Sequence, residues 1–177
     1  MAVSGSHTAG VVALVRIGRQ ADGDAAGAVA RLANTARRGG APAPTDHEGN
    51  VRGFLANSDS FLAVAEDAGA VVGMALGMQA LDDDGAGPPL PGLCHVAMVF
   101  VHPQWWGRGI GKMLIRHLLA EGQDRGYERF QLWTHADNQR AQRLYEGLGF
   151  RRSGREKDDD FAERIIHYEL RGPGERG

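Results

Sequence analysis

Residues 99–112 read VFVHPQWWGRGIGK, and this is the most informative stretch of the chain. An apolar run typical of a strand ends at Pro103, three glycines follow at alternate positions, and a helical apolar pattern begins at Ile110. Alternating glycines let successive backbone N–H groups point into one hollow, and the first turn of a helix adds N–H groups without partners. The stretch therefore predicts a strand, an anion-binding turn and a helix, in that order.

Two common nucleotide motifs do not fit this turn. A P-loop needs Gly where this chain has Trp106, and Ser or Thr where it has Met113. The dinucleotide fingerprint G-x-G-x-x-G follows a first strand, whereas here G-x-G-x-G follows the fourth predicted strand. On this turn alone, a tight strand-to-helix connection without a ligand remains an equal alternative.

A second segment lies about 30 residues downstream, after one predicted strand, and reads NQRAQRLYEGLGF over residues 138–150. Together the two segments resemble the GNAT superfamily of N-acetyltransferases, with motif A written R/Q-x-x-G-x-G/A and motif B written N-x-x-A-x-x-L/F-Y-x-x-x-G-F. The resemblance covers residues 10–170 and is strongest over 94–150. One position departs from motif A: its first residue, usually Arg or Gln, is Trp106, so phosphate contact there must come from backbone groups and Arg108.

The pattern along the rest of the chain predicts the element order β α α β β β α β α β β. Strands are predicted over 11–17, 61–66, 70–80, 94–102, 130–133, 150–156 and 163–170, and helices over 24–35, from 51, over 109–125 and over 138–147. Asp24 is the predicted N-cap of the first helix, and residues 36–50 and 82–91 are predicted to be irregular. The resemblance implies one α/β domain over residues 10–171, with a mostly antiparallel mixed sheet of about seven strands, a V-shaped splay between strands 4 and 5, and about four helices. Residues 1–9 and 172–177 are predicted to be disordered.

The resemblance implies that acetyl-CoA binds where strands 4 and 5 splay apart. The backbone of Val99 and Val101 would pair with the pantetheine arm, and the N–H groups of residues 106–112 would wrap the pyrophosphate. Asn138 would contact the cofactor, although Asn is also a good helix N-cap and both roles can coexist. The implied cofactor-binding residues are Val99, Phe100, Val101, Trp106, Gly107, Arg108, Gly109, Ile110, Gly111, Lys112, Asn138 and Tyr145.

The reaction that the resemblance implies is attack of a neutral amine on a thioester carbonyl. It needs a deprotonated amine, a site for the oxyanion and a proton for the departing thiolate. Tyr145 matches the position of the family's usual general acid, with packing in the core as its alternative. His95 is the candidate base, and the alternatives are a histidine packed on the sheet or an amine that arrives neutral. A backbone N–H near Val99 or Phe100 is the implied oxyanion donor.

Loops on the acceptor side of this fold usually come from the first helix–loop–helix and from the last strand turn, here residues 36–50 and 157–162. Asp158, Asp159 and Asp160 form an acidic run that could attract a cationic amine, and a solvated charge run is the alternative. Trp105 and Trp106 are expected either on the cofactor or at a dimer contact.

Composition narrows the function classes. With 20 basic and 22 acidic residues among 177, the formal net charge of −2 gives no basic field for nucleic acid. Cys94 is the single cysteine, which excludes an internal disulfide and a thiolate metal cluster. The longest nearly apolar stretch, residues 68–78, falls short of the roughly 20 residues of a membrane helix, and residues 1–7 do not match a secretory signal. We therefore expect a cytoplasmic protein with no membrane, nucleic-acid or metal partner.

The leading functional hypothesis is an acetyl-CoA-dependent N-acetyltransferase that acts on a primary amine of a small molecule. The alternatives are a non-catalytic CoA-binding sensor and an enzyme that acetylates protein N-termini or lysines. A homodimer is expected by analogy with the family alone.

Overall fold

A computed structural model describes residues 13–172 and contains seven strands and four α-helices. The strands are β1 (Leu14–Ile17), β2 (Phe61–Asp67), β3 (Ala70–Leu81), β4 (Pro89–Val101), β5 (Arg129–His135), β6 (Arg151–Asp158) and β7 (Arg164–Arg171). The helices are α1 (Gly23–Arg37), α2 (His47–Leu55), α3 (Ile110–Asp124) and α4 (Gln139–Gly147). The predicted order of elements and the predicted fold class are confirmed.

The strands form one mixed sheet in the order β1-β2-β3-β4-β5-β7-β6. Every neighbouring pair is antiparallel except β4 and β5, which run parallel and pair at only three positions, the last being His95 with Gln131. Beyond His95 the two strands continue without pairing, so the sheet opens into the predicted V-shaped gap. A β-bulge at Ala97 turns β4 at the start of this gap, because Val96 and Met98 pair with adjacent residues of β3.

Helices cover both faces of the sheet. α3 places Ile110, Leu114 and Leu118 on one face at helical spacing, and α4 adds Tyr145 to the same core. On the opposite face, Ala26 of α1 packs in a second core together with a residue of α2, Val51. Since α3 begins at the end of β4 and α4 begins at the end of β5, both helix N-termini lie at the open end of the gap.

The predicted start of α1 is wrong by a short distance. α1 begins at Gly23, and Asp22 rather than Asp24 occupies the N-cap position. The Asp22 carboxylate accepts hydrogen bonds from the Arg16 guanidinium at 2.8 and 2.9 Å and from the backbone N–H of Arg19 at 2.7 Å. This contact between β1 and the chain before α1 places the N-cap at Asp22, earlier in the chain than the predicted Asp24.

The prediction that residues 82–91 lack regular structure is also wrong. A 3₁₀ turn covers Asp83–Gly85, and β4 begins at Pro89, which pairs with Leu81. Proline is tolerated here because β5 joins β4 only from Leu93 onward, so the missing N–H of Pro89 interrupts no ladder on that side. The second helix starts at His47, inside the predicted loop 36–50.

The ends of the chain can be compared with the predictions only in part. The predicted disorder of residues 1–9, residues 11 and 12 of the first predicted strand, and residues 173–177 lie outside the described residues. Gly172 is described, and its N–H donates to the carbonyl of Glu128 at 3.0 Å. None of the helices in the described part combines the length and the apolar character that crossing a membrane requires.

Candidate active site

A cleft of about 710 Å³ opens where β4 and β5 separate, and we call it the main cleft. Its walls come from the end of β4, the glycine turn with the start of α3, the start of α4, and the last turns of α1. Every predicted cofactor-binding residue except Arg108 lines it, namely Val99, Phe100, Val101, Trp106, Gly107, Gly109, Ile110, Gly111, Lys112, Asn138 and Tyr145. The fold thus collects two segments that are separated by a strand into one concave surface.

The glycine turn presents free backbone N–H groups to this cleft. Gly107 and Gly109 have φ of 75° and 76°, and a Cβ built on either would meet no atom within 4 Å. Across the described residues, no backbone N–H from Gly107 to Lys112 finds a protein acceptor, and those from Ile110 onward form the first turn of α3. The N–H of Trp106, the first of the predicted set, donates to the carbonyl of Pro103 at 3.2 Å, so the run of free N–H groups begins at Gly107. Free N–H groups at a helix start fit a diphosphate.

Trp106 has a structural task in place of the Arg or Gln of the motif. Its indole N–H donates to the carbonyl of Val101 at 2.7 Å, which ties the turn to the end of β4. The Arg140 guanidinium lies 4.3 Å above the same ring and lines the main cleft. Arg108, in contrast, stacks on Trp105 at 4.6 Å and does not line the cleft. Sequence reasoning missed Arg140, and its place two residues after Asn138 was the available signal.

Asn138 lies at the N-cap of α4. Its side-chain oxygen accepts from the backbone N–H of Ala141 at 3.2 Å, so the capping role is present. Because Asn138 also lines the main cleft, the cap does not prevent a contact with a ligand there.

Tyr145 is 7% exposed and packs edge-on against Phe150, with ring centroids 5.9 Å apart. Its hydroxyl makes no hydrogen bond to the protein within residues 13–172, while the residue lines the main cleft. Burial raises the pKa of this phenol well above its ordinary value of 10. The side chain is therefore a protonated donor at neutral pH, and it has no acceptor among residues 13–172.

His95 is the last residue of β4 that pairs with β5, at the point where the gap begins. It lines neither the main cleft nor the cavity described next. Its Nδ1 is buried without a hydrogen-bond partner in the described part of the chain, and burial lowers the pKa of its ring to about 4. His95 is thus neutral at physiological pH and a weak proton acceptor. It does not border the space where a reacting amine would lie.

A second cavity of about 170 Å³, which we call the side cavity, lies beside the main cleft. Asn34, Arg37 and Phe100 line both spaces, so the two are adjacent. The remaining walls come from the segment between α1 and α2, from β4, from His135 at the end of β5, and from the turn between β6 and β7. These are the loops that were expected on the acceptor side.

The three aspartates of the acidic run have different surroundings. Asp159 lines it, but its carboxylate already accepts from the N–H groups of Phe161 and Glu163, both at 2.9 Å. Burial alone would raise the pKa of Asp159, and these two N–H groups and His135 outweigh it and lower the pKa. Asp158 pairs with Arg164 at 3.2 Å, and Asp160 is exposed outside the cavity.

Glu163 holds the charged wall of the side cavity together, and sequence reasoning missed it. Its carboxylate bonds Arg37 at 3.2 Å, Arg38, and His135 at 3.0 Å. Burial tends to raise the pKa of Glu163, but the two guanidinium groups outweigh it and lower the pKa. One ligand atom each from His135, Asp159 and Glu163 lie within 4.8 Å of one another, a cluster that the spacing of the histidines did not indicate. The absence of a metal remains a prediction.

Comparison with known proteins identifies the family. The sequence profile described as the acetyltransferase (GNAT) family matches residues 27–150. The chain belongs to this family. It is 33% identical over 130 residues to the mouse protein named Probable N-acetyltransferase family 8 member 5, covering 71% of this chain and 53% of that protein. It is 42% identical over 52 residues to the [ribosomal protein bS18]-alanine N-acetyltransferase of Salmonella typhimurium, covering 29% of this chain and 35% of that enzyme.

Among solved structures, the GNAT chain resembles yncA of Salmonella typhimurium, which was solved with acetyl-CoA. The TM-score is 0.71 at 20% identity, covering 94% of this chain and 97% of that one. This likeness shows the fold. The GNAT chain spans about half or less of the length of the curated relatives it matches.

Proposed function

We propose that this GNAT chain is an acetyl-CoA-dependent N-acetyltransferase that transfers the acetyl group directly to a primary amine of a small molecule. The observation that carries the proposal is the run of free N–H groups from Gly107 to Lys112, which shares one cleft with the unpartnered hydroxyl of Tyr145. A diphosphate and a leaving thiolate are the two groups of acetyl-CoA that such donors suit.

On the donor side, the protein would hold the cofactor mainly through its backbone. The free N–H groups of the glycine turn would bind the pyrophosphate, and Arg140 would add a positive charge that Trp106 keeps in place. Beyond His95, β4 pairs only with β3, so its edge on the β5 side is open, and the main chain at Val99 and Val101 on that edge is available to the pantetheine arm.

The chemistry follows from the groups at the gap. The neutral amine attacks the thioester carbonyl, a C–N bond forms, and the C–S bond breaks. Tyr145 gives its proton to the departing thiolate and recovers a proton from solvent when the products leave. A backbone N–H near Val99 or Phe100 would stabilise the oxyanion, and His95 would receive the amine proton through water.

On the acceptor side, the side cavity would receive the end of the molecule that carries the amine. Its volume of about 170 Å³ is smaller than an ordinary ligand pocket, so it can enclose only a small group. Of the acidic run, Asp159 alone lines this cavity, which supports a role for it toward the acceptor. A cytoplasmic location, expected from the composition, and a homodimer, which rests on analogy with the family, are also parts of this proposal.

The test is thiol release from acetyl-CoA in the presence of a panel of small amines, compared with peptides that end in a free α-amine or contain lysine. We expect turnover with at least one small amine. A chain that binds CoA by calorimetry but releases no thiol with any acceptor would be a CoA-binding sensor. Turnover on peptides alone would make it a protein-modifying enzyme.

A further inference from the structure

The side cavity concentrates polar atoms that have no partner. Five buried side-chain nitrogen or oxygen atoms lack a hydrogen bond in the described part of the chain, and three of them belong to residues that line this cavity. They are Asn34 Oδ1, Arg38 Nε and His47 Nδ1. Asn34 is 9% exposed and His47 is 6% exposed, so bulk water does not compensate these groups. Unpaired buried polar atoms cost free energy, which a ligand that pairs them recovers.

The hydrogen-bonding role of each atom can be assigned. Asn34 Nδ2 lies 2.8 Å from His47 Nε2, and burial lowers the pKa of His47, so the ring is neutral. With an amide N–H donated to Nε2, the ring proton of His47 is on Nδ1. The residues that line the cavity therefore carry two unused donors, His47 Nδ1–H and Arg38 Nε–H, and one unused acceptor, Asn34 Oδ1, within the described part of the chain.

The three residues that carry these atoms differ in which of the two spaces they line. Asn34 lines both the side cavity and the main cleft, whereas Arg38 and His47 line the side cavity alone. Of the three residues, Asn34 is therefore the one that borders the space where the acetyl group would arrive.

Resting on the proposed function, we propose that the acceptor is a small amino acid, a primary amine with a carboxylate close to it. The carboxylate accepts hydrogen bonds from Arg38 and His47, and the amine donates to the side-chain oxygen of Asn34 while its lone pair faces the main cleft. The two groups of such a molecule match the two donors and the acceptor that the protein leaves unpaired.

Two carboxylates, Asp159 and Glu163, already line the side cavity, and Arg38 has an unused edge for a third. Arg37 and Arg38 both contact Glu163, and Arg37 also contacts Asp137 at 3.1 Å. Arg38 uses Nη1 for Glu163, which leaves the Nε edge of its planar guanidinium for another oxygen pair. The two guanidinium groups lie among the carboxylates of Glu163, Asp159 and Asp137, so the cluster holds no surplus of positive charge. The carboxylate of the acceptor is therefore bound by the hydrogen bonds of Arg38 Nε–H and His47 Nδ1–H.

The same chemistry disfavours peptides. A protein N-terminus or a lysine side chain carries an amide or a methylene where the amino acid has its carboxylate. Such an acceptor leaves Arg38 Nε–H and His47 Nδ1–H without a charged partner, and the penalty for burying them remains.

The experiment compares glycine, L-alanine and L-serine with glycinamide, L-alaninamide and L-serinamide, with rates corrected for the fraction of unprotonated amine. We expect kcat/KM for each acid to exceed that for its amide about tenfold or more, mainly through KM, as charge-assisted hydrogen bonds allow. Arg38→Ala should bring this ratio close to one while turnover of the amides persists, which shows that the variant is folded. Arg52→Ala is the matched control, because Arg52 pairs with Asp24 on the outer surface at 3.0 Å and lines neither space.

Amides that react as well as or better than the acids in the wild-type chain would overturn the inference and leave the proposed function intact. An unchanged ratio in Arg38→Ala would overturn it as well. If no amine is acetylated at all, the proposed function fails, and calorimetry of L-alanine against L-alaninamide on the CoA-loaded chain then decides the inference. Binding of the acid alone would support it, and binding of neither would end it.

Discussion

The main cleft and the side cavity lie next to each other but are built from different chemical groups. The main cleft offers backbone N–H groups from one continuous turn, residues 107–112, held in place by glycine conformations. The side cavity offers side chains from segments far apart in the sequence, among them Asn34, His47 and Glu163. A backbone site depends on where glycines stand, whereas a side-chain site depends on which residues the fold brings together. The two sites should therefore respond differently to substitution.

The largest effect is expected when the backbone site is blocked at Gly109. In Gly109→Val, a branched side chain would fill the open space above the turn and strain a φ of 76°. Losing two hydrogen bonds to a charged phosphate corresponds to about 10³-fold weaker binding of CoA, measured by calorimetry.

The control for this variant is Gly126→Val at the other end of α3, roughly 22 Å away. Gly126 has a φ of 92° and equally open space, so the strain is similar but the main cleft is untouched. Equal loss of CoA affinity in both variants would mean that strain, and not a blocked phosphate site, is responsible.

The next effect in size concerns Tyr145, which lies in the main cleft but acts through its side chain. Tyr145→Phe keeps the ring in the core and removes the proton donor, so we expect kcat to fall about 10²-fold, the low end for general acid catalysis, with CoA affinity retained. Tyr127→Phe is the control, because Tyr127 stacks on Phe61 away from both spaces. A kcat equal to wild type would remove Tyr145 from the mechanism.

A smaller effect should show how far side chains assist the backbone site. Arg140→Ala removes the cation above Trp106, and we expect about tenfold weaker CoA binding, with a reduced dependence of the affinity on salt. Arg143→Ala, on the exposed side of the same helix, should leave CoA affinity unchanged. Similar losses in both variants would point to a general electrostatic effect and not to the stacked arginine.

The smallest effect is expected at His95. Because burial lowers the pKa of His95 to about 4, the ring is neutral above that pH and accepts a proton only weakly, so His95→Ala should lower kcat/KM about fivefold at pH 6 and less at pH 9. In the wild-type chain, kcat/KM should rise with pH along the titration of the acceptor amine, without an inflection near pH 6.5. An inflection there that disappears in His95→Ala would show that the ring titrates at its ordinary pKa.

Sequence reasoning reached most of the fold and the donor half of the site for a common reason. Glycine spacing, apolar periodicity and the N-cap at Asn138 are local signals, and each fixes structure within a few residues. The errors at Asp24 and Pro89 arose where a contact outside the element itself intervened, because Arg16 of β1 binds Asp22, and Leu81 of β3 pairs with Pro89 before β5 joins β4.

The acceptor half could not be predicted in the same way. Arg38, His47 and Glu163 line one cavity only after α1, α2 and the β6–β7 turn have packed. The resemblance indicated residues 36–50 as an acceptor-side loop, but no local pattern singles out Arg38 or His47 within it. Arg140 is an intermediate case. It lies within motif B, but its position depends on stacking over Trp106, the residue that departs from motif A.

The strand at one border of the sheet bears on how copies of this chain can associate. β6 reads RRSGREKD, is almost entirely exposed, and is interrupted by an irregular register between Arg152 and Glu156. Dense charge and a bulge both oppose the addition of a further strand to such an edge, and so guard against aggregation by sheet extension. If two GNAT chains of this sequence pair, β6 is therefore the surface where we least expect them to join.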